Sequence, residues 1–184
     1  MRKRSLAIVI VIAVVLPTLV VQAAAAPQNF GGPPTAVIYE APEIKTVYRE
    51  QTRSIELSFR VASGYHINSN RPKQEYLKRT ELRLDAPSDI AIEKITYPRG
   101  EDLSFPFAPK EKLNVYTGEF EVKVFLRPLK TTLHEQYAIH GVLKYQACDH
   151  ASCYPPKQLP VSFQLNVLKI AADFRRRDPT GVPE

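Results

Sequence analysis

The chain has 184 residues, and its 25 lysines and arginines outweigh 19 aspartates and glutamates by a formal charge of +6. Setting aside Arg2, Lys3 and Arg4 leaves 22 basic against 19 acidic residues, or +3, too mild a balance to suggest a nucleic-acid partner. The roughly 158 residues beyond the leading segment suit one domain with a sizeable core.

Residues 1–26 have the layout of an export signal. A basic start precedes an apolar stretch from Leu6 to Val21, broken by Pro17 and Thr18, and the small residues Ala23 to Ala26 offer a cleavage site. The alternative is an uncleaved membrane anchor, against which stand the shortness of the apolar core and the proline within it. Either reading places the rest of the chain outside the cytoplasm, where disulfides form and persist. After Val21 no apolar run approaches the length of a membrane span.

Residues 27–35, rich in Gly and Pro without an apolar period, are expected to be a flexible linker. A series of strand-like segments follows. Ala36–Tyr39 is short, whereas Ser54–Val61 alternates cleanly with Ile55, Leu57, Phe59 and Val61 on one face. His66–Tyr76 is expected to hold a turn or short helix. Thr80–Leu84 and Ile90–Tyr97 repeat the alternation less strictly, and Phe105-Pro106-Phe107-Ala108-Pro109 reads as a rigid apolar loop between polar neighbours. Glu119–Leu126 turns Phe120, Val122 and Val124 inward against Glu121 and Lys123. Tyr137–Gln146 and Val161–Val167 complete the set. Period-two alternation, β-branched and aromatic content and frequent proline breaks predict an all-β fold, an antiparallel β-sandwich. Residues 171–184, with Arg175, Arg176 and Arg177, read as a basic, disordered tail, with attraction to anionic lipid as the alternative.

Lys144 to Pro156 holds the only two cysteines, Cys148 and Cys153, followed at once by Tyr154-Pro155-Pro156. Five residue steps span roughly 17 Å when extended, but a disulfide brings its Cα atoms to about 5.5 Å, so the segment must turn back for the sulfurs to meet. Asp149, His150 and Ser152 are compatible with such a turn. A disulfide across so short a loop constrains the unfolded chain by only about 2 kcal/mol, against nearly 5 for a hundred-residue loop. A tight pair is easily read as a redox couple, whose thiols stay together when the bond opens. A local structural disulfide and a soft-metal site using Cys148, Cys153 and His150 are the alternatives. The metal reading lacks an evident fourth ligand and the usual zinc spacings.

Lys-Tyr-Gln-Ala-Cys-x4-Cys-Tyr-Pro-Pro resembles the active-site segment of the N-terminal periplasmic domain of DsbD, the bacterial thiol:disulfide interchange protein. Two further stretches resemble the same family: Gly64-Tyr65-His66-Ile67-Asn68-Ser69-Asn70-Arg71-Pro72 with Tyr76-Leu77 and Thr80-Glu81-Leu82, and Phe105-Pro106-Phe107-Ala108 leading to Leu113–Gly118. Together they run over residues 36–168, and the domain is expected to occupy residues 36–170. The best-known family member has one more residue between its cysteines, which implies a different loop geometry here. The resemblance implies an immunoglobulin-like sandwich carrying the cysteine pair at one edge. No C-x-x-C thioredoxin motif is present, so a stand-alone module is expected.

The resemblance implies that Cys153 forms mixed disulfides with partners and that Cys148 resolves them; the sequence alone does not rank the two. It also implies a cap loop whose aromatic ring, Phe105 or Phe107, shields the disulfide. Tyr65, His66 and Asn68 are expected to border the cysteines, the alternative being an ordinary β-turn. Tyr145 and Tyr154 flank the pair and are expected to cover the sulfurs or to pack at the edge. His150, when protonated, would favour a thiolate, whereas Asp149 would raise a thiol pKa.

The expected function is that of a periplasmic oxidoreductase of the protein-disulfide reductase type. Electrons would pass from a membrane or thioredoxin-like donor to disulfides of exported proteins, with no bound cofactor. The alternative is a secreted binding module in which the disulfide only fixes a loop.

Overall fold

The computed structural model describes residues 35–169. The expected signal, nearly all of the expected linker and the basic tail lie outside the described residues. The described residues form β1 (Val37–Glu40), β2 (Lys45–Tyr48), β3 (Arg53–Val61), β4 (His66–Asn68), β5 (Glu81–Asp85) and β6 (Ile90–Thr96). After these come β7 (Glu101–Phe105), β8 (Ala108–Tyr116), β9 (Glu119–Pro128), β10 (Gln136–Tyr145), β11 (Ala147–Cys148) and β12 (Lys157–Leu168). Among them there is no helix; of the turn or short helix expected over His66–Tyr76 the turn is present, at residues 75–76, after a short strand and bends.

The strands form three sheets, ordered β1-β3-β9-β6, β2-β12-β10-β5 and β11-β4-β8-β7. The first two face each other as a sandwich, and the alternation read in the sequence is what fills it. Ile55, Leu57, Phe59 and Val61 of β3 and Phe120, Val122, Val124 and Leu126 of β9 meet Ile139 and Leu143 of β10. Val161, Phe163, Leu165 and Val167 of β12 complete this face. At period two a strand puts every second side chain on the same face, so each of these runs buries one full row. All pairings are antiparallel except β12 with β2, whose register Leu165↔Lys45 to Leu168↔Tyr48 is parallel.

β10 and β12 are paired over ten residues, from Gln136↔Asn166 to Tyr145↔Lys157. The cysteine segment is the connection between them. The third sheet stands over that connection with a small apolar cluster of its own, Leu77, Phe105, Leu113 and Val115. Its outer part is a hairpin: Phe105 closes β7, Ala108 opens β8 and the two are register partners. The stretch expected as an apolar loop is therefore the tip of a hairpin, reversed at Pro106-Phe107, where the proline ring pre-sets the first turn position.

Candidate functional site

Cys148 ends β11, and Cys153 faces it in an antiparallel bridge. A disulfide joins them with the Cα atoms 3.9 Å apart. That is closer than the roughly 5.5 Å usual for disulfides, because the two residues are directly opposed partners rather than points on an open loop.

Asp149 builds the turn between them. Its Oδ1 accepts the backbone N–H groups of Ala151 at 2.7 Å and Ser152 at 2.9 Å, and its Oδ2 accepts the Tyr154 hydroxyl at 2.5 Å. Its own N–H donates to the Ser152 carbonyl at 2.9 Å. This is the local side-chain-to-backbone bonding that makes aspartate a turn former. The Tyr154 hydroxyl and then the two amides hold the Asp149 carboxyl down to about 2, and Asp149 in turn holds the Tyr154 hydroxyl up to about 12. The Asp149 charge is thereby committed to the shape of the loop.

On the other side of Cys148 lies β4, reached from β3 by a turn that closes Tyr65 N–H onto the Ala62 carbonyl at 3.1 Å. Gly64 occupies the turn position that requires a positive φ, here 82°. The turn delivers His66 directly opposite Cys148 and Ile67 opposite Ala147. Cys153, Cys148 and His66 thus stand abreast across three chain segments. Opposed residues of an antiparallel pair project to the same face, so the disulfide and the imidazole share one side of this small sheet.

The hairpin tip covers that side. The rings of His66 and Phe105 stack with centroids 3.8 Å apart, and Phe107 lies beyond at 5.6 Å from Phe105. His66 is 2% exposed and Cys148 0%. Cys153 is half-buried, and Phe107 is 36% exposed. Burial first, and then the neighbouring His150, push the His66 imidazole down to about 4, with Asp149 pulling the other way. Its Nε2 is buried without a hydrogen-bond partner among the described residues.

Tyr65 is half-buried with its ring 6.2 Å from that of Tyr154, and His150 is exposed at the loop apex. Tyr65, His66, Phe105 and His150 line a groove of about 630 Å³ that the cysteine loop borders through His150. Tyr145 is elsewhere: it belongs to the main core and is 3% exposed. It continues the inward row of Tyr137, Ile139 and Leu143 on β10, so the cover over the sulfurs expected of it is corrected to core packing. The sulfurs that a metal reading needs are bonded to each other. Among the described residues no group of three or more His, Cys, Asp and Glu side chains could hold a metal ion.

Asn68 lies one strand position beyond Ile67 and belongs to a joint that sequence reasoning missed in part. Its Nδ2 donates to Gln146 Oε1 at 3.1 Å and to the Lys78 carbonyl at 3.0 Å. Gln146 Oε1 also accepts the Lys78 amide at 3.0 Å, and Gln146 Nε2 donates to the Tyr154 carbonyl at 3.2 Å. Gln146 therefore ties β4, the segment before β5 and the chain leaving Cys153 to one side chain. It stood inside the Lys-Tyr-Gln-Ala-Cys motif, but only the fold reveals what it connects.

Residues 36–164 match the family described as thiol:disulfide interchange protein DsbD, N-terminal. Among solved structures, the DsbD N-terminal domain of Neisseria meningitidis in its reduced form is similar at 24% identity. That match covers 60% of this chain and 76% of that one, with a TM-score of 0.40. A second Neisseria meningitidis structure, of the complex between the DsbD N-terminal and PilB N-terminal domains, is similar at 19% identity, covering 73% and 87% with a TM-score of 0.42. The N-terminal periplasmic domain of ScsB from Proteus mirabilis is similar at 14% identity, covering 70% and 48% with a TM-score of 0.43. No curated protein matches the chain. With the family matched over most of its length and a disulfide formed at the motif cysteines, the chain belongs to the family of DsbD N-terminal domains, immunoglobulin-like thiol–disulfide exchange domains with a cysteine pair.

Proposed function

We propose that this domain works outside the cytoplasm, taking electrons from a membrane or thioredoxin-like donor and passing them to disulfides of exported proteins. Cys153 is the residue that partners reach, and Cys148 is the one that resolves the mixed disulfide. The observation that carries this reading is the asymmetry of the pair: Cys148 is fully buried and Cys153 only half-buried. A partner thiolate must approach one sulfur in line with the bond and expel the other. The more open sulfur is the one that can be approached, and the buried one is the natural leaving group.

Phe105 and Phe107 act as the cap. Their rings, stacked over His66, keep small oxidants and thiols away until a partner displaces the hairpin tip. Such shielding matters in an oxidising compartment, where an open dithiol would lose its electrons to the wrong acceptor. The complex of a Neisseria meningitidis DsbD N-terminal domain with a PilB N-terminal domain supports a protein partner rather than a small molecule.

The deciding experiment is the reduction potential of the Cys148–Cys153 pair, measured by equilibrating the purified chain with thiol buffers. A value between about −180 and −270 mV, where exchange proteins lie, is expected. A value below about −300 mV would mark a structural disulfide and leave the domain as a stapled binding module.

A further inference from the structure

We propose that His66 is a catalytic residue of the exchange: its Nε2 takes the thiol proton from Cys148 when that cysteine resolves the mixed disulfide. The inference deepens the exchange reading above and rests on it.

The geometry singles out this side chain. His66 is the strand partner of Cys148, on the same face as the disulfide, under the Phe105 ring. Its Nε2 is buried with no hydrogen-bond partner among the described residues. A buried polar atom without a partner costs free energy and calls for a reason. In the reduced protein a Cys148 thiol across the ladder supplies one, since S–H is a donor and a bare imidazole nitrogen an acceptor.

Of the other polar groups near the sulfurs, those of the loop are committed or exposed. Asn68 Oδ1, also buried without a partner among the described residues, is an amide oxygen and no base for a thiol. Asp149 accepts three hydrogen bonds within the loop, and the Tyr154 hydroxyl donates to it. His150 is exposed at the apex. Cys148 itself is sealed from solvent, so its thiol needs a base inside the protein. Burial and His150 keep the imidazole unprotonated at ordinary pH, which leaves its lone pair free but makes it a weak base in the resting protein. The negative charge arising on Cys148 then favours the imidazolium.

The step balances as follows. After Cys153 has attacked a partner disulfide, the partner's sulfur is bonded to Cys153 Sγ. Cys148 gives its proton to His66 Nε2, and its sulfur attacks Cys153 Sγ. The Cys148–Cys153 bond forms as the bond to the partner breaks, and the electron pair of that bond leaves on the partner's sulfur. That sulfur takes up a proton from the imidazolium, directly or through solvent. The cysteine pair is oxidised, the partner is reduced by the same two electrons and His66 returns to neutral.

The test uses the reduced full chain and dithiobis(nitrobenzoate) as the disulfide substrate. Release of the first nitrothiobenzoate reports attack by the accessible cysteine, and release of the second reports resolution by Cys148. His66→Phe keeps the aromatic stack without a nitrogen, and His66→Gln keeps a polar group without a base. Both are expected to slow the second release severalfold at neutral pH, less than the roughly hundredfold lost with a base poised near the operating pH. The residual rate should rise steadily with pH. The second release is read relative to the first in each variant, because His66→Gln also loosens the Phe105 stack. If either variant releases the second chromophore at the wild-type rate with the wild-type pH profile, His66 only packs and the proposal is overturned. Phe105→Ala, which opens the same stack and keeps the imidazole, is the control, and it should retain the wild-type ratio of second to first release. The same fall in that ratio in Phe105→Ala as in His66→Gln would assign the effect to the stack and overturn the proposal. If the wild-type chain gives no second release at all, the exchange reading falls, and the role of His66 falls with it.

Discussion

The rings of His66 and Phe105 are stacked 3.8 Å apart, although β8 lies between their strands in the sheet. The contact therefore closes the β7–β8 hairpin back across β4, over the row that holds Cys148. Phe105→Ala should remove this closure. Truncating a buried phenylalanine costs about 3 kcal/mol, so denaturant unfolding should move to a lower midpoint. In the same variant, reduction of the disulfide by a small dithiol should become severalfold faster. Phe107→Ala, at the more exposed end of the stack, should speed reduction less and change stability by less than about 1 kcal/mol. Equal reduction rates in all three proteins would show that the hairpin tip does not cap the pair.

Cys148→Ala leaves the half-buried thiol of Cys153, whereas Cys153→Ala leaves a fully buried one. Mixed with a thioredoxin-like partner under oxidising conditions, Cys148→Ala should accumulate a stable covalent complex on a non-reducing gel. Cys153→Ala should accumulate little. The reverse result would exchange the roles of the two sulfurs.

Asp149→Ala should release the loop without touching the cysteines. The amides of Ala151 and Ser152 lose their acceptor, and their hydrogen exchange should rise well above that of Tyr154, whose N–H still bonds Ala147 O at 2.8 Å. The Tyr154 hydroxyl, now held up to about 12 by the carboxylate, should titrate closer to the ordinary tyrosine value. Because the Asp149 pKa is depressed to about 2, its support is complete above its ordinary value. That support disappears only as pH falls toward 2, so the wild-type loop should keep its order through the neutral and mildly acid range.

His66 gives the domain an acid sensitivity of its own. Its imidazole falls from an ordinary 6.5 to about 4 on folding, so between these values the unfolded chain binds the extra proton and the folded chain does not. Stability from this group is complete above pH 6.5 and is lost as pH falls toward 4. Urea midpoints measured across that window should fall for the wild type and run flatter for His66→Phe. Parallel curves would mean that the imidazole is charged in the folded protein.

The sandwich was legible because its inner strands bury one complete row each. Ser54–Val61, Glu119–Leu126 and Val161–Val167 all fall within observed strands. Strands β2, β4, β7, β8 and β11 were not legible as strands. Lys45–Tyr48 buries one side chain fully, Val47, and pairs on one side. Ala108–Tyr116 begins with an exposed half whose partner is the other arm of a hairpin, so no alternation marks it. At the site, the cysteine loop and its aromatic neighbours could be named from local motifs and family likeness. The pairing of His66 with Cys148 could not, because a ladder register between residues 82 apart in sequence is a property of the assembled sheet. Tyr145 was misplaced for a related reason: adjacency in sequence suggested cover for the sulfurs, while the parity of β10 turned the ring into the core.

The ten-residue pairing of β10 with β12 frees the cysteines from any duty of holding the molecule together. Both ends of their loop are anchored by a backbone ladder that makes no use of sulfur, and Asp149 shapes the bend between them. Opening the disulfide gives back the conformational freedom of a very short loop, worth about 2 kcal/mol, and leaves the strands where they were. The chain is thus constructed to be indifferent to its own oxidation state. It can carry two electrons, or none, on a scaffold whose strand pairing does not depend on the bond.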